Sequence, residues 1–280
     1  MSGVDDWARD IKFETPSSLA RLVKQVLVNP FANYAPAGLI RWILKATGSE
    51  LAAANWADPG GWRSMVISYD GQCHQWSDKV LVGSGTIPMA LRNRRLLAGR
   101  VLARVIDECP SEPVEVLCIG AGPGRIIIDA MLQAEKRARA TLVDLNSDAH
   151  HHAHRLARSC GLGASIRFIT ADARHLDRYL DGRVDVVKMI GICEYLQDEQ
   201  IVSIAKAAGV LMPAGAPFLL NSLSKRHGTD RFFRRVFGLH MIHRSVDELC
   251  RLMTAAGFGD FASLSEPLGV YDIILARKQG

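Results

Sequence analysis

Val116-Leu-Cys-Ile-Gly-Ala-Gly-Pro-Gly-Arg125 is an apolar run that breaks into alternating glycines. An unbroken apolar stretch bounded by glycine reads as a strand buried on both faces. Glycines follow where the backbone must turn tightly and let another group approach closely. The apolar Ile126-Ile-Ile128 then opens a helix. A helix start presents free N–H groups and the positive end of the dipole. The order is Gly120-Ala121-Gly122-Pro123-Gly124, or Gly-x-Gly-x-Gly. A dinucleotide loop needs Gly-x-Gly-x-x-Gly, and Arg125 stands where its third glycine belongs. No Gly-Lys-Ser/Thr follows, so a phosphate-binding P-loop is excluded.

The same texture continues outward from this segment. Strand-like runs at 114–119, 140–145, 165–170, 184–190 and 216–220 alternate with helical patterns at 124–136, 147–161, 173–181 and 198–212. Such alternation predicts a parallel sheet covered on both faces. Right-handed crossovers make it an α/β, doubly wound, Rossmann-like fold. Ser245-Val-Asp-Glu248 is a capping box that starts a helix, and Gly257 ends it. Runs at 261–264 and 270–276 then predict a closing hairpin. Residues 1–110 differ. Leu19, Leu22, Val23, Val26 and Leu27 form one helical stripe, further helices are expected at 39–46 and 89–109, and 55–85 reads as short elements and loops. The division is an N-terminal helical cap over 1–110 and a core over 111–280, with a lid-like insertion at 222–244.

Ligands in such a fold bind at the carboxyl ends of the strands. Asp144 ends the second strand, where a carboxylate can accept both hydroxyls of a ribose. Asp172, in Ala171-Asp-Ala173, follows the third, within reach of an exocyclic amine. Gly191-Ile-Cys-Glu194-Tyr195 follows the fourth. In this order the glycine loop and the strand-end acids resemble the class I S-adenosylmethionine-dependent methyltransferases, from Val114 to Lys278. The resemblance implies a mostly parallel sheet with a reversed last strand, which the closing hairpin fits. It implies that Gly120, Gly122 and Gly124 lie against the methionine part of the cofactor, with Ala121, Leu145 and Gly191 also in the cofactor site. Asp144 would hold the ribose hydroxyls, and Asp172 with Ala173 the adenine. The Asn/Asp-Pro-Pro-Tyr pattern of amine-directed nucleic-acid methyltransferases is missing after the fourth strand.

Each remaining candidate has a plain structural reading beside the functional one. His150 and His154 have metal-capable spacing, but no third ligand is near in sequence, and a surface helix is expected with no metal. Cys193 lacks the preceding proline of a pyrimidine nucleophile and reads as a buried thiol. Glu194, Tyr195 and His227 are the candidates for a base, should the acceptor have to lose a proton. One of Arg92, Arg94 and Arg95 is expected at the cofactor carboxylate, and spacing does not choose among them. In the insertion, Phe232, Phe233, Val236 and Phe237 form a stripe opposite Arg231, Arg234 and Arg235. It either lies over the acceptor or packs on the core.

The 280 residues are 48% hydrophobic and 22% charged, an ordinary globular balance that excludes a disordered or fibrous chain. The net charge of +5 permits an anionic ligand without requiring one. Six cysteines with no Cys-x-x-Cys pair, and an acidic N-terminus without an apolar leader, suit a reduced, cytoplasmic protein. The expectation is methyl transfer from S-adenosyl-L-methionine to a small-molecule acceptor by in-line displacement. An anionic acceptor is admitted, as is a homodimer. No membrane partner is expected, and nucleic acid is disfavoured. The alternatives are an RNA or protein methyltransferase, a cofactor-binding module without turnover, and a nicotinamide-dependent reductase, which Arg125 opposes.

Overall fold

Both faces of the first strand are covered, and its residues divide between two cores. In the computed structural model, which describes residues 5–180 and 182–280, Val116 and Cys118 of β1 (Val114–Ile119) face one apolar cluster while Leu117 and Ile119 face another. The other strands are β2 (Ala138–Asp144), β3 (Ile166–Thr170), β4 (Val186–Met189), β5 (Pro217–Asn221), β6 (Phe258–Ser265) and β7 (Asp272–Lys278). They form one sheet in the order β3-β2-β1-β4-β5-β7-β6. The first five are parallel, and β7 runs antiparallel between β5 and β6. The direction of winding reverses between β1 and β4, which opens a crevice at their carboxyl ends.

The helices are α1 (Ser18–Val23), α2 (Asn29–Tyr34), α3 (Ala37–Ala46), α4 (Glu50–Ala57), α5 (Trp62–Asp70), α6 (Trp76–Asp78), α7 (Thr86–Glu108), α8 (Arg125–Gln133), α9 (Ser147–Ser159), α10 (Asp198–Val210), α11 (Asp230–Phe232) and α12 (Val246–Ala255). The capping box at Ser245 and Glu248 closes in both directions and starts α12. Leu97, Val101 and Leu102 of α7 join the β1 core with Ile126–Ile128 of α8. The opposite face is covered by α10 and α12, through Ile201, Ile204, Leu249 and Met253.

Two expectations change. The pattern at 173–181 folds as 3-10 turns over Ala173–Arg178, with residue 181 outside the described set. The insertion is no single amphipathic helix. It runs through a 3-10 turn at Lys225–His227, the short α11 and a π-turn at Phe233–Phe237, closed by a bridge between Leu223 and Arg244. Its apolar stripe turns inward. Phe232, Val236 and Phe237 are buried in a third core with Ile40, Leu44 and Leu91, and Trp56 Nε1 donates to Val236 O at 2.8 Å. The N-terminal helices offer these rings a dry surface, so they pack there and not over the crevice.

Candidate active site

Three glycines with left-handed backbone turn β1 into α8, with φ of +61°, +53° and +69° at Gly120, Gly122 and Gly124. They are required for different reasons. A Cβ on Gly120 would lie 2.2 Å from Ile192, in the loop after β4, and one on Gly124 would lie 3.0 Å from Ala153 of α9. These two let neighbouring elements close on the loop. A Cβ on Gly122 would meet no atom within 4 Å, because that direction opens into the crevice. The Gly122 N–H donates to Asp144 Oδ2 at 2.8 Å, and the Asn146 N–H donates to Oδ1 at 2.9 Å. Asp144 therefore stands at the crevice wall with one acceptor site of each oxygen in use.

The lining comes from three sources. The loop and the end of β2 supply Gly120, Ala121, Gly122, Gly124, Asp144 and Asn146. The end of β4 supplies Lys188, Ile190, Gly191, Ile192 and Tyr195. The N-terminal half supplies Asp58, Gly60, Trp62, Met65, Tyr69 and Arg94. Helix α5 is clasped to the core across the opening. Trp62 lies 5.1 Å from the His152 ring, and Arg125 Nη2 donates to Asp70 at 2.6 Å.

Geometry now separates the three arginines of α7. Arg92 is paired with Glu14 at 2.6 and 2.7 Å, and Arg95 with Asp129 at 2.6 and 3.0 Å. Only Arg94 reaches the crevice. It is 1% exposed, donates to Glu194 Oε1 and to the Tyr69 hydroxyl at 3.2 Å each, and lies 4.5 Å over the Tyr271 ring. Burial opposes its charge, but Tyr69, Tyr271 and Glu194 outweigh that and raise its pKa. Gly191, with φ of +91°, makes the space, since a Cβ there would lie 3.1 Å from Arg94 Nη2. Arg94 Nε and Glu194 Oε2 are both buried without a partner. A buried guanidinium with a donor to spare at a crevice wall suits a carboxylate.

The remaining expected residues are distributed as follows. Glu194 is buried behind Arg94 and reaches the crevice only through it. Tyr195 lines the crevice, and its hydroxyl packs against Gly60, where a Cβ would lie 2.6 Å away. Burial and the neighbouring Glu194 raise the Tyr195 pKa, which keeps the phenol protonated. Leu145, Asp172 and Ala173 lie outside the crevice lining. Asp172 is held by Arg174, whose backbone N–H and guanidinium both donate to it, and these bonds lower its pKa to about 2. His227 is also outside the lining. It is stacked on His243 with nitrogens 3.0 Å apart, buried within the insertion. His150 is not on the solvent side of α9. Its Nδ1 is 3.1 Å from Thr170 Oγ1 and its ring packs on Phe168, as does that of His154. Cys193 is a buried thiol whose pKa is pushed up to about 12 by burial.

Two contributions escape a reading of the sequence alone. The Asp58-Pro-Gly-Gly-Trp62 loop forms the outer wall, and only its turn-forming Pro-Gly-Gly signals it. Lys188 is the lone charge in an apolar strand, Val-Val-Lys-Met-Ile. It is buried at the crevice floor, donates to Ile190 O at 3.3 Å, and has its pKa lowered by burial.

Comparison with known proteins agrees with this geometry. Residues 116–215 match the model of a methyltransferase domain family. A phenazine O-methyltransferase of Lysobacter antibioticus is 28% identical over 171 residues, 57% of this chain and 47% of the relative. The match thus spans about half the length of that relative. A possible exported protein from Bordetella parapertussis superposes with a TM-score of 0.62 at 15% identity, over 79% of this chain and 80% of its own. Magnesium protoporphyrin IX methyltransferase from Synechocystis PCC 6803, solved with bound S-adenosylhomocysteine, gives 0.57 at 15% identity, over 91% of this chain and 100% of its own. The matched segment holds the glycine loop, Asp144 and the end of β4, within a sheet in which β7 is the reversed strand. Over residues 116–215 this chain is therefore similar to a methyltransferase domain, set in a mostly parallel, Rossmann-like sheet.

Proposed function

We propose that this chain transfers the methyl group of S-adenosylmethionine to a small-molecule acceptor held under the Asp58–Trp62 loop. The observation that carries the reading is the open space at Gly122, bounded by Asp144 on one side and Arg94 on the other. A carboxylate has about four acceptor sites. Asp144 uses two on the Gly122 and Asn146 N–H groups, which leaves one on each oxygen for the two ribose hydroxyls. Gly120, Ala121, Gly122, Gly124 and Gly191 let the backbone and Arg94 approach the methionine portion. Arg94, with Lys188 below it, meets the carboxylate. Leu145, Asp172 and Ala173 lie towards the adenine end, and Asp172 accepts an exocyclic amine only when the exposed Arg174 swings aside.

S-adenosylmethionine, when bound, would supply an activated sulfonium methyl, whose carbon accepts the acceptor's lone pair in line as the C–S bond breaks and S-adenosylhomocysteine leaves. The protein's part is to position the two partners and keep water out. Trp62, Met65, Tyr69 and Tyr195 form an aromatic and apolar wall on the acceptor side. Glu194 is a positioning residue, because its carboxylate is committed to Arg94. Tyr195 is a wall, not a base, and His227 takes no part in the reaction. Asp58, a carboxylate of the lining carried by the Asp58–Trp62 loop, takes the proton of a hydroxyl acceptor. In this reading residues 1–110 are a cap that completes the site of a core at 111–280. Six free thiols favour a cytoplasmic setting.

The test has two stages. Calorimetry should show saturable binding of S-adenosylmethionine and S-adenosylhomocysteine and none of NAD. Radiolabelled methyl transfer to a panel of small hydroxylated acceptors should then give turnover that Asp58→Asn reduces. Binding of NAD in place of S-adenosylmethionine would overturn the reading, and cofactor binding without turnover on any acceptor would leave a non-catalytic module.

A further inference from the structure

The first helical run of the chain buries none of its side chains. Helix α1, a π-turn at Lys24–Val28 and α2 follow one another over residues 18–34, and every side chain in them is exposed or half-buried. Leu19, Leu22, Val23, Val26, Leu27 and Phe31 recur at the spacing of one helix face, each between 41% and 71% exposed. Trp42 of α3 is exposed as well. Isolated exposed apolar residues need no explanation, whereas a contiguous stripe marks a surface that something covers.

Charge indicates what covers it. Between Glu14 and Glu50 the sequence has no acidic residue and four basic ones, Arg21, Lys24, Arg41 and Lys45. The insertion adds two more. Arg231 donates to Asn33 O and lies 5.1 Å over the Tyr34 ring, and Arg235 donates to Ala35 O at 2.9 Å. Among the described residues none of these six cations is paired with a carboxylate. An apolar cavity of about 130 Å³ also opens here, lined by Val28, Leu51, Val80, Ile87 and Phe232, with Lys24 among its walls.

We propose that this face docks on the surface of an anionic phospholipid bilayer. The apolar stripe enters the boundary between headgroups and acyl chains, and the cations meet lipid phosphates and carboxylates. No described helix is long and apolar enough to cross a membrane, and surface docking needs none. The proposal departs from the expectation of no membrane partner, because the sequence shows the stripe but not that it stays uncovered. A second copy of this chain is the competing occupant. Two-fold pairing would set six cations against their own copies, and the one acid beside them, Asp230, is already paired with Arg234, so the charge favours the bilayer.

The test is flotation of the full chain with phosphatidylcholine vesicles, with and without about 30% phosphatidylserine. The protein should float with the anionic vesicles and much less with pure phosphatidylcholine. Leu22→Glu/Val26→Glu, and separately Arg21→Glu/Lys24→Glu, should each lower the bound fraction at least about tenfold. Both should keep the parental melting temperature, because all four side chains are unburied. Light scattering on the same samples reads the alternative. Absence of flotation, flotation unchanged by both variants, or a solution dimer that Leu22→Glu/Val26→Glu splits while vesicles go unbound would each overturn the proposal. None of these readouts uses methyl transfer, so the proposal stands or falls apart from the enzymatic reading.

Discussion

Gly120 and Gly122 have similar left-handed φ angles and should fail differently when substituted. Gly120→Ala drives a methyl into Ile192, so it should lower stability by about 1–3 kcal/mol. Gly122→Ala meets nothing in the protein and should lose only about 1 kcal/mol from left-handed strain. Its methyl would occupy ligand space, so S-adenosylmethionine affinity should fall far more than the melting temperature. Normal binding by Gly122→Ala would reduce the loop to a turn. Asp144→Ala removes two charge-assisted acceptor sites and should weaken cofactor binding about tenfold or more by calorimetry. Arg94 gives a sharper test. Arg94→Met strands the buried Glu194 carboxylate and should destabilise by about 3–5 kcal/mol. Arg94→Met/Glu194→Leu removes both charges and should recover most of that stability in a denaturant melt. Cofactor binding should stay weak in the double variant, since the carboxylate partner is still missing. Recovery of binding together with stability would make Arg94 a purely structural residue.

At the scale of elements, the insertion at 222–244 is a buttress between the N-terminal helices and the core. Phe237→Ala empties a site that is 3% exposed and should lower stability by about 3–5 kcal/mol, with both ligands affected through unfolding alone. The same segment carries a pH dependence. Burial first, and His243 second, lower the His227 pKa to about 4, against an ordinary value near 6.5. The unfolded chain therefore binds the proton more readily, and the His227 contribution is present above pH 6.5 and lost as pH falls towards 4. The full loss is roughly 3 kcal/mol, and His227→Gln should flatten that part of a stability-against-pH curve. A slope unchanged by the substitution would assign the effect to other groups. The central strands β1, β4 and β5 are legible in the sequence because both faces of each are buried, which makes their runs almost continuously apolar, whereas β3 at the edge leaves Arg167 and Thr170 exposed. The insertion is not, because an aromatic stripe records that a face is covered but not by what. Helices α4 and α5, with the loop between them, look irregular in sequence, since Trp56, Pro59, Gly60 and Gly61 mask short helices. Asp144 is legible from its place at a strand end. Arg94 cannot be chosen over Arg92 and Arg95 until Glu14 and Asp129 are seen to hold the other two.

For the molecule as a whole, local stability should follow the layers. Amide exchange should be slowest in β1, β4 and β5 at the centre of the sheet and fastest over residues 18–34, where nothing is buried. Adding S-adenosylhomocysteine should protect residues 120–126 and also 58–65, because the two segments face each other across the crevice. Protection confined to 120–126 would remove the N-terminal half from the site. Helix α7 joins these halves. Within four residues it holds the N-terminal segment through Arg92 and Glu14, the end of β4 through Arg94 and Glu194, and α8 through Arg95 and Asp129. Each residue added to a helix rotates the side chains beyond it by about 100°. One inserted residue ahead of Arg92 would swing all three guanidinium groups away from their carboxylates at once. The residue count of this helix is therefore fixed by its three ion pairs, whereas the Asp58–Trp62 loop can be lengthened to admit a different acceptor without disturbing any such register.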